Sequence, residues 1–175
     1  MSYENNIAVL GAGSWGTAII KMLCENVNEV LWYVRNSDHA NEIIKLKRNP
    51  KYLKNLEIDV NKLVISSDIE MIIQQSNIII LAIPSPYINE SLEKYKSILN
   101  QKIIFSGSKG VIPESHLVIT DHLNKYYNIP YKNLGIISGP THAEEIANDK
   151  LSYLTIGSSN KDICNFLSEK LKSSY

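Results

Sequence analysis

Gly11, Gly13 and Gly16 are spaced as G-x-G-x-x-G within the run Ile7-Ala8-Val9-Leu10-Gly11-Ala12-Gly13-Ser14-Trp15-Gly16-Thr17-Ala18. The apolar stretch before them reads as a short strand, and the stretch after them as a helix. In that setting the first glycine permits a tight turn, the second lets a pyrophosphate approach the backbone, and the third allows the helix to pack closely. The helix would present free N–H groups and its positive dipole end to the phosphates, with Ser14 and Trp15 in its first turn. The bare pattern also occurs in glycine-rich turns. The preceding strand and the surrounding βαβ unit make it a dinucleotide-binding signature. An acidic residue about twenty positions further on ordinarily grips the ribose 2′-hydroxyl. Here that place reads Val34-Arg35-Asn36. A guanidinium cannot accept hydroxyl protons, but it pairs with a 2′-phosphate and stacks on adenine. NADP is therefore expected to be accepted alongside NAD; the plainer alternative is a surface arginine at a strand end.

Three later segments carry further candidates: Ala82-Ile83-Pro84-Ser85, Ser108-Lys109-Gly110 and Ile137-Ser138-Gly139-Pro140-Thr141-His142-Ala143-Glu144-Glu145-Ile146-Ala147. Pro84-Ser85 either faces a ligand or simply ends a strand and caps a helix. Gly139-Pro140-Thr141 reads as a place of close ligand approach with a hydroxyl at a helix start, or as a turn with an N-cap. His142 has the intrinsic pKa of a proton donor, yet a packing or surface place is the expectation for it. His39, His116 and His122 share no spacing with a carboxylate or cysteine that would make a metal site.

These residues need a scaffold, and the alternation of apolar runs with helix-like segments predicts one. The expected fold is α/β, a Rossmann-type doubly wound, mainly parallel sheet in a single domain over residues 1–175. Strands are expected at 7–10, 29–33, 63–65, 77–83, 102–105, 134–137 and 153–156. Helices are expected at 15–25, 38–48, 68–75, 85–99, 115–127, 141–148 and 161–172, the third beginning at a Ser/Asp cap. Residues 49–61 form a loop long enough to be either functional or a plain surface excursion.

The whole-chain numbers exclude several classes. With 44% apolar and 21% charged residues among 175, the chain can bury one good core and is neither disordered nor fibrous. Zero formal net charge gives no electrostatic case for nucleic acid or an anionic membrane. The densest basic patch, Lys45-Leu46-Lys47-Arg48, reads as a solvated helix end. Cys24 and Cys164 fit neither a disulfide framework nor a zinc site, which points to the reducing cytoplasm. The run Ile78-Ile79-Ile80-Leu81-Ala82-Ile83 is too short to span a bilayer and suits a buried parallel strand. No leader peptide is expected, since Glu4, Asn5 and Asn6 precede only a short apolar stretch.

Taken together, GAGSWGTA, Ala82-Ile83-Pro84-Ser85, Ser108-Lys109-Gly110 and the Ser138-Gly139-Pro140-Thr141 segment resemble the cofactor-binding domain of bacterial NAD(P)-dependent glycerol-3-phosphate dehydrogenase. Asn49-Pro50-Lys51-Tyr52-Leu53 is similar to that family's N-x-x-Y-L segment, with Lys54 where a proline usually follows. The resemblance implies reversible hydride transfer between NAD(P)H and dihydroxyacetone phosphate, giving sn-glycerol 3-phosphate for phospholipid synthesis. It implies cofactor contacts at Gly11, Gly13, Ser14, Trp15, Gly16, Arg35, Lys109 and Ala143, and substrate contacts at Lys109, Gly139 and Thr141. Lys109 would polarise the substrate, whereas the family's general acid/base lysine lies in a helical domain that nothing from Leu151 onward resembles. The family form is implied to be a homodimer. Two classes of function follow: an enzyme's cofactor module that turns over poorly by itself, or a nucleotide-binding module without turnover. A third reading, the N-terminal domain of a ketopantoate or hydroxy-acid reductase, fits S-K-G and S-G-P-T less well.

Overall fold

A computed structural model describes residues 6–173. Glu4 and Asn5, on which the leader expectation rested, lie outside the described residues. The strands of the main sheet are β1 (Ile7–Leu10), β2 (Val30–Tyr33), β3 (Leu63–Ser66), β4 (Ile78–Leu81), β5 (Ile103–Ser106), β8 (Leu134–Ser138) and β9 (Thr155–Ser158), and β6 (Val111–Ile112) and β7 (Leu117–Val118) form a separate small hairpin. The helices are α1 (Ser14–Asn26), α2 (Ser37–Leu46), α3 (Ile69–Gln75), α4 (Ile88–Leu92), α5 (Lys96–Leu99), α6 (Ile119–Tyr127), α7 (Ala143–Ala147) and α8 (Lys161–Leu171).

The seven-stranded sheet runs β3-β2-β1-β4-β5-β8-β9. All neighbours are parallel except β8 and β9, which pair antiparallel. The order reverses between β1 and β4, the switch point outside which doubly wound sheets bind their ligands. Both faces are covered, so β1 and β4 are buried at every position and read as unbroken apolar runs. One apolar layer lies under α1, α7 and α8, with Trp32, Phe105, Ile19, Leu23 and Leu167 wholly buried. The other lies under α3 to α6 and includes Ile73, Leu92, Leu99 and Leu123. Among the described residues no helix is long and apolar enough to cross a membrane. Cys24 and Cys164 are free thiols, and burial pushes the Cys24 thiol up to about 11.

Three expectations need correction. The helix placed at 115–127 starts only at Ile119, because residues 111–118 are occupied by the β6–β7 hairpin. His116 turns through positive φ (54°) at its tip, and such a residue cannot begin a right-handed helix. The helix placed at 85–99 is divided into a 3₁₀ turn at Ser85–Tyr87, α4, a 3₁₀ turn at Glu93–Tyr95 and α5. At Tyr87, Leu92 and Tyr95 the backbone flattens to φ of −103°, −113° and −107°, which breaks the regular ladder. Burial of Ile88, Leu92 and Leu99 sets the path here, not helix propensity. Finally, the helix placed at 141–148 shortens to Ala143–Ala147, so Thr141 precedes it and His142 is its N-cap.

Candidate functional site

The phosphate loop is shaped by what each glycine lacks. Gly11 has φ of +122°, and a Cβ there would stand 2.5 Å from the Ala82 carbonyl oxygen. At Gly16 a Cβ would meet the Gly11 carbonyl oxygen at 2.2 Å, so α1 sits hard against the loop it follows. A Cβ at Gly13 would meet nothing within 4 Å. That face of the loop is open, as an approaching ligand requires. Gly13 is the N-cap of α1, its first turn carries no side-chain cap and no acidic residue, and its N–H groups are therefore left for an anion.

Next to the loop is a cleft of about 760 Å³ at the carboxyl ends of β4, β5 and β8. Ser14, Trp15, Lys109, Gly139, Thr141, His142 and Ala143 all line it. Motifs spread over 130 residues of sequence thus meet in one place. Arg35 does not line the cleft. It is exposed beyond the end of β2, on the far side of β1, where Val34 N–H donates to Ser66 O at 3.0 Å and Asn36 caps α2. A ligand joining the cleft to Arg35 must therefore cross the phosphate loop.

The S-K-G segment has a job for each residue. The Ser108 hydroxyl donates to Ile83 O at 2.6 Å and also lies 3.2 Å from Leu81 O, tying the loop to the end of β4. Gly110 has φ of +93°, a turn that favours glycine. Between them Lys109 is exposed at the cleft. Two buried polar groups in the lining, Trp15 Nε1 and Thr141 Oγ1, have no hydrogen-bond partner among the described residues. Such groups are costly to leave unsatisfied, so they await a polar ligand or water.

Gly139 also lines the cleft, but glycine is required there for another reason than ligand approach. A Cβ would lie 2.2 Å from Tyr153 O, in the strand-leading segment that crosses behind it. His142 is exposed, as expected, and its N–H donates to the Glu145 carboxylate at 3.0 Å. Pro84 and Ser85 line the cleft; the strand has already ended at Leu81, and the pair opens the 3₁₀ turn that follows without a side-chain cap. Missed in the sequence were Gly107, where a Cβ would stand 2.5 Å from Trp15 Nε1, and Val118 at the hairpin end with Ile119 and Thr120 at the start of α6, which close one side of the cleft. The glycine in Ser106-Gly107-Ser108 was a visible signal for the first. No group of three or more His, Cys, Asp or Glu side chains that could hold a metal occurs among the described residues.

The family model for the NAD-dependent glycerol-3-phosphate dehydrogenase N-terminus matches residues 6–164. The chain belongs to this family. Among its curated relatives, the NAD(P)+ glycerol-3-phosphate dehydrogenase of Macrococcus caseolyticus is 30% identical over 171 residues, covering 97% of this chain and 51% of that protein. The Ectopseudomonas mendocina enzyme of the same name is 30% identical over 158 residues, covering 90% and 46% respectively. The chain thus spans about half the length of the curated relatives it matches. The crystal structure of glycerol-3-phosphate dehydrogenase from Coxiella burnetii superposes with a TM-score of 0.85 at 27% identity, over 97% of this chain and 51% of that one. The Plasmodium falciparum enzyme gives 0.87 at 25% identity, over 98% and 50%.

Proposed function

We propose that this glycerol-3-phosphate dehydrogenase family member binds NAD(P) across the carboxyl edge of its sheet and serves hydride transfer between NAD(P)H and dihydroxyacetone phosphate. The observation that carries the reading is the cleft itself. It gathers the start of α1, the exposed ammonium of Lys109 and two buried polar groups with no partner among the described residues, Trp15 Nε1 and Thr141 Oγ1. An anionic dinucleotide fits this set: the open Gly13 face and uncapped helix start suit a pyrophosphate, and the Arg35 guanidinium suits an adenosine 2′-phosphate. When bound, the nicotinamide supplies or accepts the hydride. Lys109 would polarise the substrate carbonyl or neutralise its phosphate, with Gly139, Thr141 and Ala143 shaping the pocket around it. Reduction of a ketone also needs a proton for the developing alkoxide. Lys109 and His142 are the titratable side chains in the cleft lining, and the family's acid/base lysine is not one of them. The chain by itself is therefore expected to hold cofactor and to turn over slowly.

The direct test is a titration of the 175-residue chain with NADPH and NADH, followed by the fluorescence of Trp15 and Trp32. A saturable change is expected, and its absence would refute the reading. Steady NADPH oxidation dependent on dihydroxyacetone phosphate, at rates ordinary for a dehydrogenase, would refute the expectation of slow turnover.

A further inference from the structure

Every carbonyl of residues 11–13 is engaged from within the fold. Trp32 Nε1 donates to Gly11 O at 3.0 Å, and Asn49 Nδ2 donates to Ala12 O at 3.0 Å. Thr17 donates to Gly13 O through its N–H at 3.0 Å and its hydroxyl at 2.9 Å. Asn49 connects two of these holds, because Nδ2 also donates to Thr17 Oγ1 at 2.8 Å.

The orientation of the Asn49 amide follows from its neighbours. Its Oδ1 accepts from the backbone N–H of Lys51 at 3.1 Å and of Tyr52 at 3.2 Å, groups that can only donate. Nδ2 must then face Ala12 O, which can only accept. His39 Nε2 lies 2.8 Å from the same Oδ1 and so must carry the proton between them. Asn49 and Thr17 are wholly buried, and His39 is 6% exposed. Neither Asn49 nor Thr17 lines the cleft.

In a planar trans peptide the C=O and the following N–H point in opposite directions. Holding the Ala12 carbonyl inward therefore aims the Gly13 N–H outward, and holding the Gly13 carbonyl aims the Ser14 N–H outward. Gly13 is the residue whose outer face is open. We propose that Asn49, oriented by His39 and linked to Thr17, is a positioning residue that aims these amides at the pyrophosphate of the bound dinucleotide. The proposal rests on the cofactor reading above and extends it to residues that never touch the ligand.

The test compares Thr17→Val, Thr17→Ser and Asn49→Leu with the unmodified chain by calorimetric titration and thermal melting. The probes are NADPH and ADP-ribose, which contain a pyrophosphate, and adenosine 2′-monophosphate, which does not. Thr17→Val and Asn49→Leu should weaken NADPH and ADP-ribose by roughly ten- to a hundredfold, as expected for losing a buried hydrogen-bond partner. Adenosine 2′-monophosphate affinity should hold, and Thr17→Ser, which keeps the hydroxyl, should restore dinucleotide binding. Should Asn49→Leu fail to fold, the near-isosteric Thr17→Val decides. Undiminished NADPH affinity in Thr17→Val, or a parallel loss of adenosine 2′-monophosphate, overturns the positioning role while leaving the cofactor reading intact. An unmodified chain that binds no probe overturns the cofactor reading first, and this proposal with it.

Discussion

Replacing Gly13 by alanine separates the loop's service to the ligand from its service to the fold. Gly13 has φ of −76° and ψ of −176°, which alanine adopts without strain, and the new Cβ would meet nothing within 4 Å. Two stability effects of opposite sign remain. Restricting the unfolded chain contributes about 0.4–1 kcal/mol. Placing alanine at an N-cap, where it is inferior to glycine, costs a comparable amount of roughly 0.5–1 kcal/mol. The net change is close to zero, so the melting temperature should stay within about 3 °C of the parent, given ~2–4 °C per kcal/mol for a chain of this size. Gly16→Ala is the counterpart. Its Cβ would lie 2.2 Å from the Gly11 carbonyl oxygen, which is backbone and cannot swing aside. A cost near the top of the ~1–3 kcal/mol overpacking range follows, or a fall of about 6–12 °C. Binding should rank differently, because Gly13→Ala puts a methyl on the open face and should weaken NADPH by about tenfold or more, the worth of one well-made hydrogen bond to a charged group. Thermal melting and NADPH titration on both variants suffice. A Gly13→Ala chain that melts many degrees lower, or that binds NADPH unchanged, would show that this face of the loop is not where the ligand approaches.

Four further outcomes are expected. Gly107→Ala should displace the Trp15 indole, whose Nε1 lies 2.5 Å from the new Cβ, shifting tryptophan emission and reducing NADPH affinity while the chain still folds. Arg35→Gln should cost about tenfold in NADPH affinity, as for one exposed charge-assisted contact, and leave NADH affinity little changed; equal losses for both would remove Arg35 from the 2′-phosphate. Burial lowers the pKa of His122, with Lys96 adding to the effect and Glu114 opposing it. Below its ordinary value of 6.5 the unfolded chain thus binds a proton that the folded chain resists, and stability should fall with pH in that window. His122→Gln should flatten the decline in denaturation curves compared from about pH 7.5 to about pH 5.5. Asp68→Ala removes the carboxylate that accepts from Met71 N–H at 3.1 Å at the start of α3, and should cost about 1 kcal/mol in equilibrium denaturation.

The seven strands of the main sheet were legible in outline: β1 and β4, buried at every position, read as continuous apolar runs, while the partly buried edge strand β9 begins two residues later than expected. The β6–β7 hairpin was not, since two residues per strand carry no periodicity and Ser115-His116 resembles a helix start. Much of the cleft lining was legible for the opposite reason: Trp15, Lys109 and Thr141 stand in recognisable local motifs. Support from elsewhere in the chain was hidden. Trp32 read as one apolar residue of a strand, yet its indole holds a carbonyl 21 positions away. Asn49 read as part of an awkward loop, although its amide reaches back to residues 12 and 17. Such ties are set by folding, and no local pattern marks them. Gly139 illustrates a subtler gap, where the glycine was foreseen but the Tyr153 carbonyl that demands it was not.

The helix that opens at the phosphate loop is floored by segments more than a hundred residues further along the chain. Ala18, Ile19, Met22 and Leu23 share a core with Ile146, Ile163, Leu167 and Leu171. Lys21 Nζ donates to Ile146 O at 2.8 Å and pairs with Asp149, and Asn26 Nδ2 donates to Lys170 O and Lys172 O. During synthesis the glycine loop leaves the ribosome more than a hundred residues ahead of the surface on which its helix rests. A nascent chain can therefore pair β1 with β2 early but cannot complete the seat of α1 until α8 has emerged. Dinucleotide, which favours the seated form by mass action, would thus have little to act on until α8 has been made.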